Sequence, residues 1–168
     1  MAKTEIPGAE DKHIGIELFS DQAPDLESVV QFVGAMRGAK FGQVSANELH
    51  FRCPGEALYG NFTMNLASAR GLELLHETMA PHAVAGVLEE LQARMCPRQV
   101  GYIAIDDAYS PALIDYIVRE VPRLMAGLGN HAAALIVPCI GETEKAHLVT
   151  YRPTFDREFR NAVGMVTA

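Results

Sequence analysis

The sequence predicts an α/β or α+β fold in which one mixed sheet, with parallel strands at its centre, carries helices packed against it. Two apolar runs, 100–105 and 132–139, flank an amphipathic segment that begins at Ser110-Pro111, which is the pattern of a strand, a helix and a strand. A crossover of this kind nearly always makes its two strands parallel. The order of elements also indicates two halves built on the same β-α-β-β-α plan.

Length and composition predict one globular domain covering residues 1–168. The hydrophobic share of 49% and the charged share of 21% are ordinary for a folded protein. Every apolar run is shorter than the ~20 residues that a membrane helix needs, and the first residues lack a signal-peptide core. We therefore expect a soluble cytoplasmic protein without a membrane partner.

The charge and the cysteines exclude some functions. A net charge of −7, with basic residues scattered singly, argues against a nucleic-acid partner. The three cysteines, Cys53, Cys96 and Cys139, are odd in number and widely spaced, so they predict neither a disulfide framework nor a zinc knuckle. We expect reduced, mostly buried thiols.

The first part of the chain alternates between strand and helix patterns. Residues 13–19 alternate apolar and other side chains, which predicts a strand. Pro24 is typical of a first helical residue, and apolar residues then recur at helical spacing until Gly38. A weak strand is predicted at 41–44. A second strand is predicted at 48–53, where Leu49, Phe51 and Cys53 alternate with His50 and Arg52.

The predicted strand at 58–66 has two different faces. Its apolar side chains share one face, and its polar side chains share the other, namely Tyr59, Asn61, Thr63 and Asn65.

Two helices and a final hairpin complete the predicted elements. Ser68 is a candidate cap for a helix that breaks at Pro81, and a second helix follows at 84–95. After the central strands, a turn at 141–145 leads into a strand at 146–151. An amphipathic terminal helix begins near Thr154.

The loop after the first central strand is the main candidate for chemistry. Parallel strands would bring Asp106 and Asp107 to the same sheet edge as Glu142, where open sheets hold ligands. Adjacent carboxylates can hold Mg²⁺, so we assign Asp106 and Asp107 as catalytic, and Tyr109, Ser110 and Glu142 as substrate-binding. In the simpler alternative, Asp107 or Ser110 only caps the following helix.

Other reactive side chains have simpler interpretations. Cys139 can be a nucleophile only if a nearby cation lowers its thiol pKa, and its apolar surroundings favour a buried, inert thiol. The six histidines show no metal-ligand spacing. No cofactor can be named beyond a possible Mg²⁺.

A dispersed series of short anchors resembles the small adenosine-specific kinase family. The anchors are Glu5-Ile-Pro7, Ile14-Gly15, Phe19, Asp25-Leu26, Lys40-Phe-Gly42, Ala108-Tyr109, Pro111, Val121-Pro122, Asn130 and Ile136-Val137. The resemblance implies an oligomeric α/β protein that binds adenosine and nucleotide. The family's late Gly-Arg-Gly segment is replaced here by residues 139–145.

Two functions follow as hypotheses. The first is a small-molecule-binding protein or enzyme, with a nucleoside or nucleotide as ligand and Mg²⁺-assisted phosphoryl transfer as its reaction. The second is a noncatalytic accessory or assembly subunit that binds protein through its polar strand face, its terminal helix and its acidic N-terminal segment. A homo-oligomer fits both hypotheses.

Overall fold

A computed structural model describes residues 14–34, 40–45, 48–53, 58–64, 70–71, 98–105, 110–128, 132–137 and 147–167. Within these ranges the chain forms β1 Ile14–Ser20, α1 Leu26–Gly34, β2 Lys40–Ser45, β3 Glu48–Arg52, β4 Leu58–Thr63, β5 Arg70–Gly71, β6 Arg98–Ile105, α2 Pro111–Gly127, β7 Ala132–Val137, β8 His147–Thr150 and α3 Phe155–Thr167.

The described strands form one sheet, and every pairing among them is antiparallel. The strand order is β2-β3-β4-β6-β1-β7-β8, and β5 pairs with the beginning of β6. The strands at 14–20 and 98–105 pair along their whole length, with a bulge between Leu18 and Phe19.

The prediction of central parallel strands is wrong. β1 lies between β6 and β7 and pairs antiparallel with each of them. β6 and β7 therefore run in the same direction without being neighbours. β1 can take the central position because it is buried on both of its faces, with only Glu17 partly exposed among its seven residues.

β6 and β7 still end at one edge of the sheet, as the strand, helix, strand pattern predicts, although β1 lies between them. Ile14, at the start of β1, pairs with Ile105, and Gly15 pairs with Val137. β6 and β7 consequently end at the same edge of the sheet. The order β6, α2, β7, β8, α3 follows the predicted plan, but β1 joins the two halves into one sheet.

The described helices cover one face of this sheet. α2 contacts both α1 and α3, so it lies between them. Their buried side chains share a core with β1, β3, β4, β6, β7 and β8. Phe32 of α1 packs at 5.9 Å from Phe51, 6.2 Å from Phe62 and 5.6 Å from Tyr116, measured between ring centroids. Phe155 and Phe159 anchor α3 with no exposed surface.

Two helix starts differ from the sequence prediction. α1 begins after Asp25 and not at Pro24, because the Asp25 carboxylate accepts a hydrogen bond from the Ser28 N–H at 2.7 Å and so caps the helix. The strand at Arg70–Gly71 rules out a helix that starts at Ser68. The remainder of the two predicted middle helices lies outside the described residues.

No helix in the described part of the chain combines the length and the apolar character needed to cross a membrane.

Candidate functional site

Most of the predicted site lies outside the described residues. This applies to Asp106, Asp107, Tyr109 and Glu142, as well as to Cys139 and His131. Ser110 is described, and its Oγ accepts a hydrogen bond from the Leu113 N–H at 3.4 Å. Ser110 is therefore the N-cap of α2, as the simpler alternative expects, while its proposed contact with substrate is untested.

The sheet face opposite the described helices carries a group of polar side chains. We call this group the polar face; its members are Glu17, Glu48, His50, Arg52, Tyr59, Asn61, Thr63, Gln99 and Tyr102. Strand alternation places all of them except Gln99 on this side, because Ile16, Phe51, Phe62 and Ile103 point into the helix-side core. Gln99 joins them through the bulge in the pairing of β1 with β6.

One row of the polar face crosses adjacent strands. His50 on β3 pairs with Asn61 on β4, Asn61 pairs with Tyr102 on β6, and Tyr102 pairs with Glu17 on β1. Residues directly opposite each other on one face have Cβ atoms about 5 Å apart, so these four side chains are neighbours. The row combines an imidazole, an amide, a phenol and a carboxylate, of which all but His50 are half-buried.

The neighbouring row of paired residues contains Gly15, which lies close to the Tyr102 ring. Tyr59 pairs with Ala104, and Ala104 pairs with Gly15. A Cβ added at Gly15 would lie 3.1 Å from the Tyr102 Oη and 3.2 Å from its Cε2. The glycine therefore allows the phenol ring to lie close against the backbone of β1.

Side-chain contacts organise the edges of the polar face. The Arg52 guanidinium lies 5.2 Å from the centroid of the Tyr59 ring, within cation-π distance. His50 Nε2 lies 3.1 Å from Glu48 Oε1. On the opposite side, Gln99 Nε2 donates a hydrogen bond to Glu17 Oε1 at 3.2 Å. These contacts hold the charged groups around a polar centre.

Asn61 occupies that centre. It is half-buried between His50 and Tyr102, and its amide makes no hydrogen bond with another side chain in the described part of the chain. An amide offers both donors and acceptors, which recognise the edge of a heterocycle or a sugar hydroxyl. The centre of the polar face therefore offers both hydrogen-bond donors and hydrogen-bond acceptors.

Among the described side chains there is neither an activated thiol nor a cluster placed to hold a metal ion. Cys53 is buried, and burial raises the pKa of its thiol, which disfavours the reactive thiolate. The described residues contain no group of three or more His, Cys, Asp or Glu side chains placed to hold a metal ion. The carboxylates predicted to hold Mg²⁺ are Asp106 and Asp107, whose positions the structure does not describe.

The sequence predicts one part of the polar face but not the other. Alternation in 58–66 separated Tyr59, Asn61 and Thr63 from the core, and the structure confirms that separation. Glu17 and Tyr102 were missed because they join the site only through the pairing of β6 with β1 and β4. Their polar character within otherwise apolar strands was the available signal.

No protein-family model matches the sequence, and it matches neither a curated protein nor a solved structure. The resemblance to adenosine-specific kinases therefore remains a prediction.

Proposed function

We propose that this protein binds a nucleoside or nucleotide on the polar face. The observation that carries the proposal is the position of Asn61, a half-buried amide without a side-chain hydrogen bond among the described residues, between Tyr102 and His50. Hydrogen-bonding capacity at the centre of a half-buried surface is typical of a ligand site.

The groups around Asn61 suit different parts of such a ligand. Tyr59 and Tyr102 provide ring surfaces against which a base can stack. The Glu17 carboxylate is an acceptor for ribose hydroxyls, and Arg52 is a donor for phosphate oxygens. Arg52 lies two residues from His50 along β3, so a ligand that spans these groups crosses the face from β1 to β3.

Catalysis would depend on the loop that follows β6. Ile105 is the last residue of β6, and it pairs with Leu58 on β4, the strand that carries Asn61. Asp106 and Asp107 come directly after it in the sequence. We propose that these carboxylates hold Mg²⁺ beside the bound nucleotide and assist phosphoryl transfer, with Tyr109, Ser110 and Glu142 contacting the substrate.

Isothermal titration of the whole chain with adenosine, and with ATP in the presence and absence of Mg²⁺, tests the binding proposal. We expect saturable binding, and we expect Asn61→Ala to weaken it about tenfold or more because hydrogen bonds to the ligand are lost. Asn161→Ala is the matched control, since Asn161 is exposed on α3. The proposal fails if neither compound binds, or if Asn61→Ala and Asn161→Ala bind equally well.

A separate arm tests the carboxylates. If Asp106 and Asp107 hold Mg²⁺, Asp106→Asn will bind adenosine normally and lose the Mg²⁺-dependent part of ATP binding. Unchanged Mg²⁺ dependence in both Asp106→Asn and Asp107→Asn contradicts the metal assignment and leaves the adenosine result unaffected.

An assembly role is a second candidate because α1 exposes apolar side chains. Leu26 is 58% exposed, and Val30, one turn later, is 45% exposed. On α3, Phe155 and Phe159 are fully buried in the core, and Met165 is a single exposed apolar side chain among the large ones described there. We propose a homo-oligomer that uses α1. Light scattering that gives the mass of one chain, for both the wild type and Leu26→Lys, contradicts it.

A further inference from the structure

A cleft of about 240 Å³ lies between α1 and α2, on the other side of the sheet from the polar face. It is lined by Ser28, Gln31, Phe32, Glu120, Arg123 and Leu124. The two helices approach each other at both ends of this cleft. The Tyr116 hydroxyl donates a hydrogen bond to the Phe32 carbonyl at one end, and Gly127 contacts Ser28 at the other.

The cleft contains a nearly buried carboxylate, and the described residues hydrogen-bond to one of its two oxygens. Only 7% of the Glu120 side chain is exposed. Its Oε1 accepts hydrogen bonds from Arg119 Nε at 2.9 Å and from Arg123 Nη1 at 3.3 Å. Both guanidinium groups use the same oxygen, and Oε2 accepts no hydrogen bond from any described residue. A buried acceptor is ordinarily paired, so Oε2 is available to a donor that the described residues do not supply.

The Arg123 guanidinium lies next to the Glu120 carboxylate. The Arg123 side chain is 72% exposed, and its described bond to Glu120 uses only Nη1. A guanidinium has five N–H donors in a planar fork that suits a carboxylate. The cleft therefore presents an anionic acceptor and a cationic donor next to each other.

The rest of the lining sets the size and character of the ligand. Phe32 and Leu124 provide an apolar wall. The Ser28 hydroxyl donates to Asp25 Oδ2 at 2.9 Å and keeps its lone pairs for a further donor. The volume is below the roughly 300–1,000 Å³ of drug-sized pockets, which favours a ligand as small as an amino acid.

We propose that the α1–α2 cleft binds an α-amino acid with an apolar side chain, of about the size of leucine. Its ammonium group donates to Glu120 Oε2, its carboxylate accepts from Arg123, and its side chain packs on Phe32 and Leu124. This site is separate from the polar face and does not depend on the function proposed there.

Backbone amide NMR of the whole chain, titrated with L-leucine, tests the proposal. 3-Methylbutylamine and 4-methylpentanoate carry the same hydrocarbon but lack the carboxylate and the ammonium, respectively. We expect leucine to give saturable shifts at Ser28, Gln31 and Arg123, and each analogue to bind about tenfold or more weakly, because each loses one charge-assisted contact. Absent leucine shifts, shifts at other residues only, or equal binding of an analogue overturns the proposal.

Charge variants provide the second arm. Arg123→Gln removes the carboxylate partner at an exposed position, and we expect about tenfold weaker leucine binding. Arg160→Gln on α3, also exposed, is the matched control and should bind as the wild type does. Glu120→Gln should lose leucine binding too, but it can also disturb the fold, so Arg123→Gln decides. Equal affinity in Arg123→Gln and Arg160→Gln overturns the assignment.

Discussion

At the scale of single residues, hydrogen bonds identify two side chains that begin helices. Asp25 and Ser110 both have their oxygens engaged at the start of a helix, by Ser28 and by Leu113. Asn61 has no such partner among the described side chains, although it is half-buried. This contrast moves the centre of the candidate site from the α2 cap to the polar face.

Asp25 gives a prediction at this scale. Hydrogen bonds from the Ser28 N–H, and then from its hydroxyl, lower the pKa of the Asp25 carboxyl below its ordinary value. Because the folded-state pKa is the lower one, the stabilisation is complete above the unfolded value and is lost as pH falls through the folded value. Urea denaturation should show Asp25→Ala about 1 kcal/mol less stable at neutral pH, with a smaller difference in acid.

Asp25→Asn is the control for this prediction. An asparagine side chain still caps a helix but does not ionise, so the variant should lose less stability than Asp25→Ala at neutral pH. The assignment is contradicted if both variants match the wild type, or if the loss of stability in Asp25→Ala grows as the pH is lowered into the acid range.

At the scale of elements, the packing of α1 against α2 depends on a close approach at Gly127. A Cβ added there would lie 2.6 Å from the Ser28 Oγ and 3.3 Å from its Cβ. Ser28 cannot turn away freely because its hydroxyl bonds to the Asp25 cap. A larger side chain at the end of α2 would therefore disturb the hydrogen bonds that cap α1.

A pair of glycine substitutions tests this link. Gly127→Ala should destabilise the protein by about 1–3 kcal/mol, because the new methyl group pushes the helices apart. Gly164→Ala is the control in α3, where an added Cβ meets nothing within 4 Å. It should stabilise the protein by roughly 0.5–1 kcal/mol, because alanine favours a helix interior. Thermal unfolding that shows both variants changing stability in the same direction contradicts this account of the packing.

Local sequence patterns predicted many elements because local physics determines them. The apolar periodicity of 111–127 and the Ser110-Pro111 start gave α2, and alternation gave β1 and β4. The same patterns do not reveal which strand is the neighbour. A strand that is apolar on both faces fits equally well between parallel or antiparallel partners, so the insertion of β1 between β6 and β7 was missed.

At the scale of the whole molecule, that insertion assembles the polar face. His50 and Asn61 meet through the pairing of the consecutive strands β3 and β4. Tyr102 and Glu17 lie far from them in the sequence and join the row only because β4 pairs with β6 and β6 with β1. A sheet with β6 directly beside β7 would remove Glu17 from the row. The candidate site is therefore a product of the topology, and residue patterns alone predicted only its β4 portion.

Hydrogen exchange tests the strand order. β1 pairs along both of its edges, whereas β8 pairs on one edge only among the described strands. Amides of β1 should therefore exchange near the limit set by global unfolding, and amides of β8 should exchange by local opening. Exchange in β1 as fast as in β8 contradicts the central position of β1.

The most direct test of the central claim is a crystal structure of the whole chain grown with saturating adenosine. We expect the base to lie against Tyr102 or Tyr59, with a hydrogen bond to the Asn61 amide and the ribose towards Glu17. Adenosine bound away from the polar face, or a polar face without adenosine at saturating concentration, contradicts nucleoside binding at this face.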